Sequence, residues 1–92
     1  MYLEIVTPEA SLVSGEVESV TVPGVNGAFQ MLNNHASIIS TLKEGKVEFT
    51  GNPTFAEGYE DKFSKEEDGK WSLKINSGTV ELKDNKVIVL AD

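Results

Sequence analysis

Along the chain, hydrophobic residues recur at every second position in short runs, and Gly, Asn or Pro interrupts them every eight to twelve residues or so. That spacing belongs to strands of a sandwich or barrel rather than to helices. Tyr2 to Val6 reads as a first strand, stopped by Thr7-Pro8 because proline cannot donate to a ladder. Leu12-Val13 is a short apolar pair before Ser14-Gly15. Glu16 to Val22 is a second strand with Val20 and Val22 on one face and Val17 on the other, so its inward face switches at a bulge. Pro23-Gly24-Val25-Asn26-Gly27 combines a Pro-Gly and an Asn-Gly turn signal and predicts a loop. Ala28 to Leu32 sets Phe29 and Met31 against Gln30, a half-buried strand, and Asn33-Asn34 ends it.

The stretch His35 to Leu42 fits two patterns. Ile38, Ile39 and Leu42 match a helical stripe capped by Asn34, but its β-branched and Ser content favours a strand. After Lys43-Glu44-Gly45, Lys46 to Thr50 alternates cleanly. From Gly51 to Lys70 acidic residues accumulate: Glu57, Glu60, Asp61, Glu66, Glu67 and Asp68. Tyr59, Asp61 and Phe63 still alternate, predicting a strand that ends in a polar hairpin tip at Asp68-Gly69. Trp71, Leu73 and Ile75 against Ser72, Lys74 and Asn76 form the best period-2 pattern of all. Val80 and Leu82, the turn Lys83-Asp84-Asn85-Lys86, and Val87 to Leu90 predict a closing hairpin. Its last strand is apolar on both faces and should be central or doubly covered. No internal repeat or low-complexity tract appears.

Ninety-two residues make one domain, 1–92. A hydrophobic fraction of 39% is enough for a thin core that folds alone. Eight Lys, no Arg and a net charge of −7 disfavour nucleic-acid and phosphate recognition and a polybasic membrane contact. Without Cys there is neither a disulfide framework nor a thiolate nucleophile or zinc site. The first residues lack a basic n-region and apolar run, and no stretch approaches the ~18 apolar residues of a membrane helix. A soluble cytoplasmic protein is expected.

Candidate chemistry is sparse. His35 is the single histidine; it has no triad or elbow motif around it, so a hydrogen-bonded turn residue is the simplest reading. The acidic stretch lacks the EF-hand order of Asp or Asn, Gly and distal Glu, and Lys62 and Lys65 interrupt it; a solvated hairpin tip accounts for it better than calcium. Trp71 with Tyr59 suits a sugar-stacking platform, yet alternating aromatics in strands are more often core. Gly24 and Gly27 fit neither the dinucleotide nor the Walker pattern. These residues lead to an acidic all-β interaction module without an active site. A free-standing sandwich binding a carbohydrate or protein remains open as one form of it.

Three segments carry a resemblance. They are Ser14-Gly15-Glu16-Val17-Glu18-Ser19-Val20-Thr21-Val22-Pro23-Gly24; Gly27 through His35-Ala36 to Leu42-Lys43-Glu44-Gly45-Lys46-Val47; and Ser77-Gly78-Thr79-Val80-Glu81 with Val87-Ile88-Val89-Leu90-Ala91-Asp92. In order and spacing they resemble the epsilon subunit of the F-type rotary ATP synthase, over Met1 to about Thr50 and Ser77 to Asp92. The resemblance implies a two-sheet β-sandwich, noncatalytic and without cofactor, that binds the gamma subunit on one side and the loops of the membrane c-ring at one end. It implies c-ring contacts at Asn26, Gly27, Phe29 and His35, gamma contacts at Ile38 and Ser40, and a place on the inner face of a bacterial membrane within the complex.

The chain departs from the family in four places. Gln30, Asn33, Asn34 and His35 stand where the family commonly has Gly-x-x-Pro-Gly-His; Asn tolerates positive φ, so the loop shape should persist. Ala28 replaces an acidic loop residue. Residues 51–70 have no clear counterpart. The family's two C-terminal helices, which restrain ATP hydrolysis and in some members bind ATP, would begin where this sequence stops. Either a short natural form or a longer chain cut at the domain boundary is therefore expected, with no ATP binding and no inhibitory arm in these residues.

Overall fold

The computed structural model describes all 92 residues. It contains ten strands: β1 Tyr2–Val6, β2 Ser11–Gly24, β3 Gly27–Leu32, β4 Ile38–Leu42, β5 Gly45–Gly51, β6 Thr54–Phe55, β7 Phe63–Lys65, β8 Trp71–Ile75, β9 Gly78–Lys83 and β10 Lys86–Ala91. The one helical element is a 3₁₀ turn over Glu60–Lys62. The all-β expectation therefore holds, and the ambiguous stretch before Leu42 is a strand from Ile38 onward.

β2 organises everything else. Its 14 residues, at about 3.3 Å each, would run roughly 46 Å if straight, whereas the longest dimension of the protein is 32 Å. The strand must bend, and it does so at Gly15–Ser19. Gly15 has φ 146°, and a Cβ there would lie 2.9 Å from the Pro53 Cα, so the corner needs glycine both for its backbone and for its close approach. A bulge between Val17 and Ser19 completes the turn, at the point where the alternation of Val17 and Val20 predicts a switch of face. The first half of β2 pairs with β1 and β6, and the second half with β3 and β5.

One layer thus runs β6–β2–β1–β10–β9–β4 and the other β3–β2–β5–β8–β7, with hydrogen bonding continuous through the shared strand. β1 and β10 are parallel, Leu3 opposite Val87 and Ile5 opposite Val89; every other pairing is antiparallel. Twenty buried hydrophobic residues form a single core between the layers, with Leu3, Ile5, Val80, Leu82, Val87 and Val89 facing Val20, Val47, Phe49, Leu73 and Ile75. Phe49 meets the Phe63 ring edge-on at 6.1 Å, and Phe55 bridges Phe63 at 4.8 Å and Trp71 at 5.0 Å.

Two sequence expectations need correction and a third holds. The Pro23–Gly27 loop is shorter than predicted: Pro23, Gly24 and Gly27 stay in the ladder, and the turn is only Val25-Asn26. The strand predicted through Tyr59 and Asp61 is instead the 3₁₀ turn, because Lys62 N–H reaches back to Tyr59 C=O at 3.1 Å; the extended strand starts at Phe63. β10 is central, between β1 and β9, as its apolar faces predict, and one of those faces is covered. Val87, Val89 and Ala91 are buried, while Leu90 is 51% exposed.

Candidate functional site

The residues singled out from the sequence fall at three places. Asn26 and Gly27 form the tip of the β2–β3 hairpin, both exposed. Gly27 has φ 124° with open space where a Cβ would stand, so backbone conformation rather than crowding fixes it as glycine. Hydrogen bonds hold the tip beside the β4–β5 turn: Val25 N–H donates to Thr41 C=O at 3.1 Å, and Lys43 N–H to Pro23 C=O at 2.9 Å. Phe29 is half-buried and packs against the core.

His35 lies elsewhere. β3 runs from Gly27 to Leu32, about 17 Å of extended chain, before the turn that carries His35. Its backbone N–H closes a turn on Leu32 C=O at 3.1 Å, and its Nδ1 is 2.7 Å from the Ala36 carbonyl. Its neighbours are at the opposite end of the sandwich. The N-terminal ammonium of Met1 donates to Asn33 Oδ1 at 2.6 Å, and Asn34 N–H donates to Asn85 Oδ1 at 2.8 Å. Asn34 sits at φ 64°, the left-handed region that Asn tolerates. The loop therefore turns where the family motif has Pro-Gly. One end of the molecule cannot present Asn26, Gly27 and His35 together.

Ile38 and Ser40 belong to the core side of β4. Both are half-buried, in phase with buried Leu42 and opposite Leu82 and Val80 of β9. The open side of β4 carries Ile39, 76% exposed, and Thr41. Around Ile39 a shallow apolar surface continues over Thr79, Glu81, Ile88 and Leu90. The apolar outer face of the last strand is visible in the sequence, but Ile39 is not singled out there; adjacent apolar residues in an alternating strand, Ile38-Ile39 and Val89-Leu90, are the signal that one of each pair must point outward.

The acidic segment has little convergence. No group of three His, Asp or Glu side chains comes together to hold a metal ion. Glu66 is the organised member: Ser72 Oγ donates to it at 2.7 Å and Lys46 Nζ pairs with it at 3.4 Å. These two contacts, the serine hydroxyl first, hold its carboxyl below the usual range. Asp92 is lowered likewise by the Ser77 N–H, which donates to it at 3.1 Å. Trp71 and Tyr59 make no open stacking platform, since both pack on the core and Lys65 Nζ covers the Trp71 ring at 4.8 Å.

Residues 1–59 match the family model for the β-sandwich domain of the ATP synthase delta/epsilon chain. The chain belongs to that family. It is 38% identical over 92 residues to the ATP synthase epsilon chain of Campylobacter concisus, covering all of this chain and 60% of the relative. It is also 38% identical over 90 residues to that of Chlorobaculum tepidum, covering 98% and 86%. The chain thus spans about three-fifths of the Campylobacter epsilon chain and most of the Chlorobaculum one. The first alignment runs through the acidic segment, so residues 51–70 do have a counterpart among relatives. A chain in the central stalk/c-ring structure of the Tetrahymena thermophila mitochondrial ATP synthase has the same fold, with TM-score 0.66 at 15% identity over 99% of this chain and 62% of that one. Epsilon chains are structural and regulatory subunits, not catalytic ones.

Proposed function

We propose that residues 1–92 act as one epsilon-type domain in the central stalk of a proton- or sodium-driven F-type ATP synthase, linking gamma to the c-ring at the inner face of a bacterial membrane. Membership of the epsilon family carries this reading. The hairpin tip of Asn26 and Gly27, with Phe29 behind it, is the proposed c-ring end. His35, at the far end of β3, serves a separate contact. The gamma contact expected at Ile38 and Ser40 moves by one residue to the open side of β4, where Ile39 joins Ile88 and Leu90. Apolar anchors of this kind dominate binding when a partner desolvates them. Residues 1–92 contain no helical arm and are proposed to support coupling without an ATP-responsive brake.

Co-expression of the tagged chain with its own gamma subunit tests the assignment. Gamma should be retained at stoichiometric levels, and its complete loss on washing would overturn the reading. Phe29→Ala, if folded, should weaken rotor assembly by about 2 kcal/mol; unchanged assembly would remove Phe29 from the c-ring end.

A further inference from the structure

In an antiparallel hairpin, residue pairs that exchange both backbone hydrogen bonds alternate with pairs that exchange none. Every second residue of the outer strand therefore turns its N–H and C=O away from its partner. The neighbours of Gly24 set the phase in the β2–β3 hairpin. Pro23 C=O and Val25 N–H are engaged by Lys43 and Thr41 on the β4 side, which leaves Gly24 to bond with Gly27. Ala28, opposite Pro23, then points its backbone outward, as do Gln30 opposite Thr21 and Leu32 opposite Ser19. The Leu32 C=O is closed by the His35 N–H. Open at this edge are both backbone groups of Ala28, both of Gln30 and the Leu32 N–H. β3 pairs with β2 alone, and all three residues are exposed.

Native sheets protect such edges with short strands, charges, proline or bulges. β7, at the other end of the same layer, shows the usual devices: it is three residues long, ends in Lys65 and runs into the acidic tip. β3 has none of them. Its six residues, Gly-Ala-Phe-Gln-Met-Leu, hold no charge and no proline, and its register against β2 is unbroken from Gly27 to Leu32.

We infer that the β3 edge is a docking site for an extended strand of the gamma subunit, which extends the second layer through main-chain hydrogen bonds to Ala28, Gln30 and Leu32. The partner strand is uncharged or basic, since this chain carries a net −7. The same charge argues against a second copy of this chain, because two copies would bring −7 against −7. The inference rests on the stalk reading and gives the chemistry of one of its contacts.

Backbone amide exchange, measured on the chain alone and bound to its own gamma subunit, tests it. The amides of Ala28, Gln30 and Leu32 should slow about tenfold or more in the complex, while those of Phe29 and Met31, already bonded to β2, change little. Gln30→Pro removes an outward N–H without touching the β2 ladder; it should weaken gamma binding about tenfold with thermal stability retained. Stoichiometric gamma binding with no slowing at these three amides overturns the inference and leaves the stalk reading standing. Failure to bind gamma overturns both. Slowing in the chain alone that grows with its concentration would assign the edge to self-association and overturn the proposed occupant.

Discussion

The two outer faces of the sandwich are finished differently. On the second layer, Lys46, Glu48, Ser72 and Lys74 point away from the core, and Lys46, Glu66 and Ser72 are tied together by an ion pair and a hydrogen bond. On the first layer the outward positions include Ile39, Ile88 and Leu90, with Thr79 and Glu81 between them. Both faces lie over the same core and are built from the same alternating pattern. Only the charged one is complete in water; the apolar one gains stability from whatever covers it. The difference separates what the fold needs from what assembly needs.

Substitutions can break that separation in order of expected effect. Phe49→Ala empties the centre of the shared core, where the ring is fully buried and meets Phe55 and Phe63. It should cost about 3–5 kcal/mol in chemical denaturation, and a loss below 1 kcal/mol would mean that the layers do not depend on one core. Gly15→Ala forces a Cβ against the Pro53 backbone at φ 146°. About 1–3 kcal/mol should be lost by the same assay, since the corner joining the layers is strained. Leu90→Asp and Lys74→Asp place the same charge on opposite faces, and each should change stability by no more than about 0.5 kcal/mol. Retention of gamma should fall with the first and hold with the second; equal retention would remove any binding role from the apolar face.

The smallest effect concerns Glu66. Ser72→Ala removes its shortest hydrogen bond, so the carboxyl should titrate closer to its ordinary value, followed by NMR. Its folded pKa is depressed, so the stability it confers is present above the ordinary carboxylate value and is lost as pH falls through the folded one. The mutant should lose part of that acid dependence. An unchanged Glu66 titration would show that Lys46 alone sets it.

Much of the fold was legible where one face is buried and the other wet, because alternation then records burial directly. Lys46 to Thr50 is an example, whereas in Trp71 to Ile75 the alternation gives the strand but Ser72 on the other face is buried too. The reading failed where backbone geometry overrode the pattern. Tyr59, Asp61 and Phe63 alternate although a 3₁₀ turn separates them, and β6 is two residues beside Pro53, too short for a period. Of the candidate site, the hairpin tip was legible from Asn26-Gly27. Its separation from His35 was not, since that depends on β3 running straight between them. The inward turn of Ile38 and Ser40 depends on the register with β9, which local sequence does not carry.

The parallel pairing of β1 with β10 bears on how the protein is made. Residues 2–6 leave the ribosome long before residues 86–90, which are their neighbours on one side. The family match ends at residue 59, and a nascent chain of that length still lacks β7, β8, β9 and β10. Leu3 and Ile5 must wait for Val87 and Val89 before their side of the core closes. Contacts so distant in sequence make folding slow, and until residues 86–90 are made the edge of the first strand away from β2 stays open to chaperones and to wrong partners.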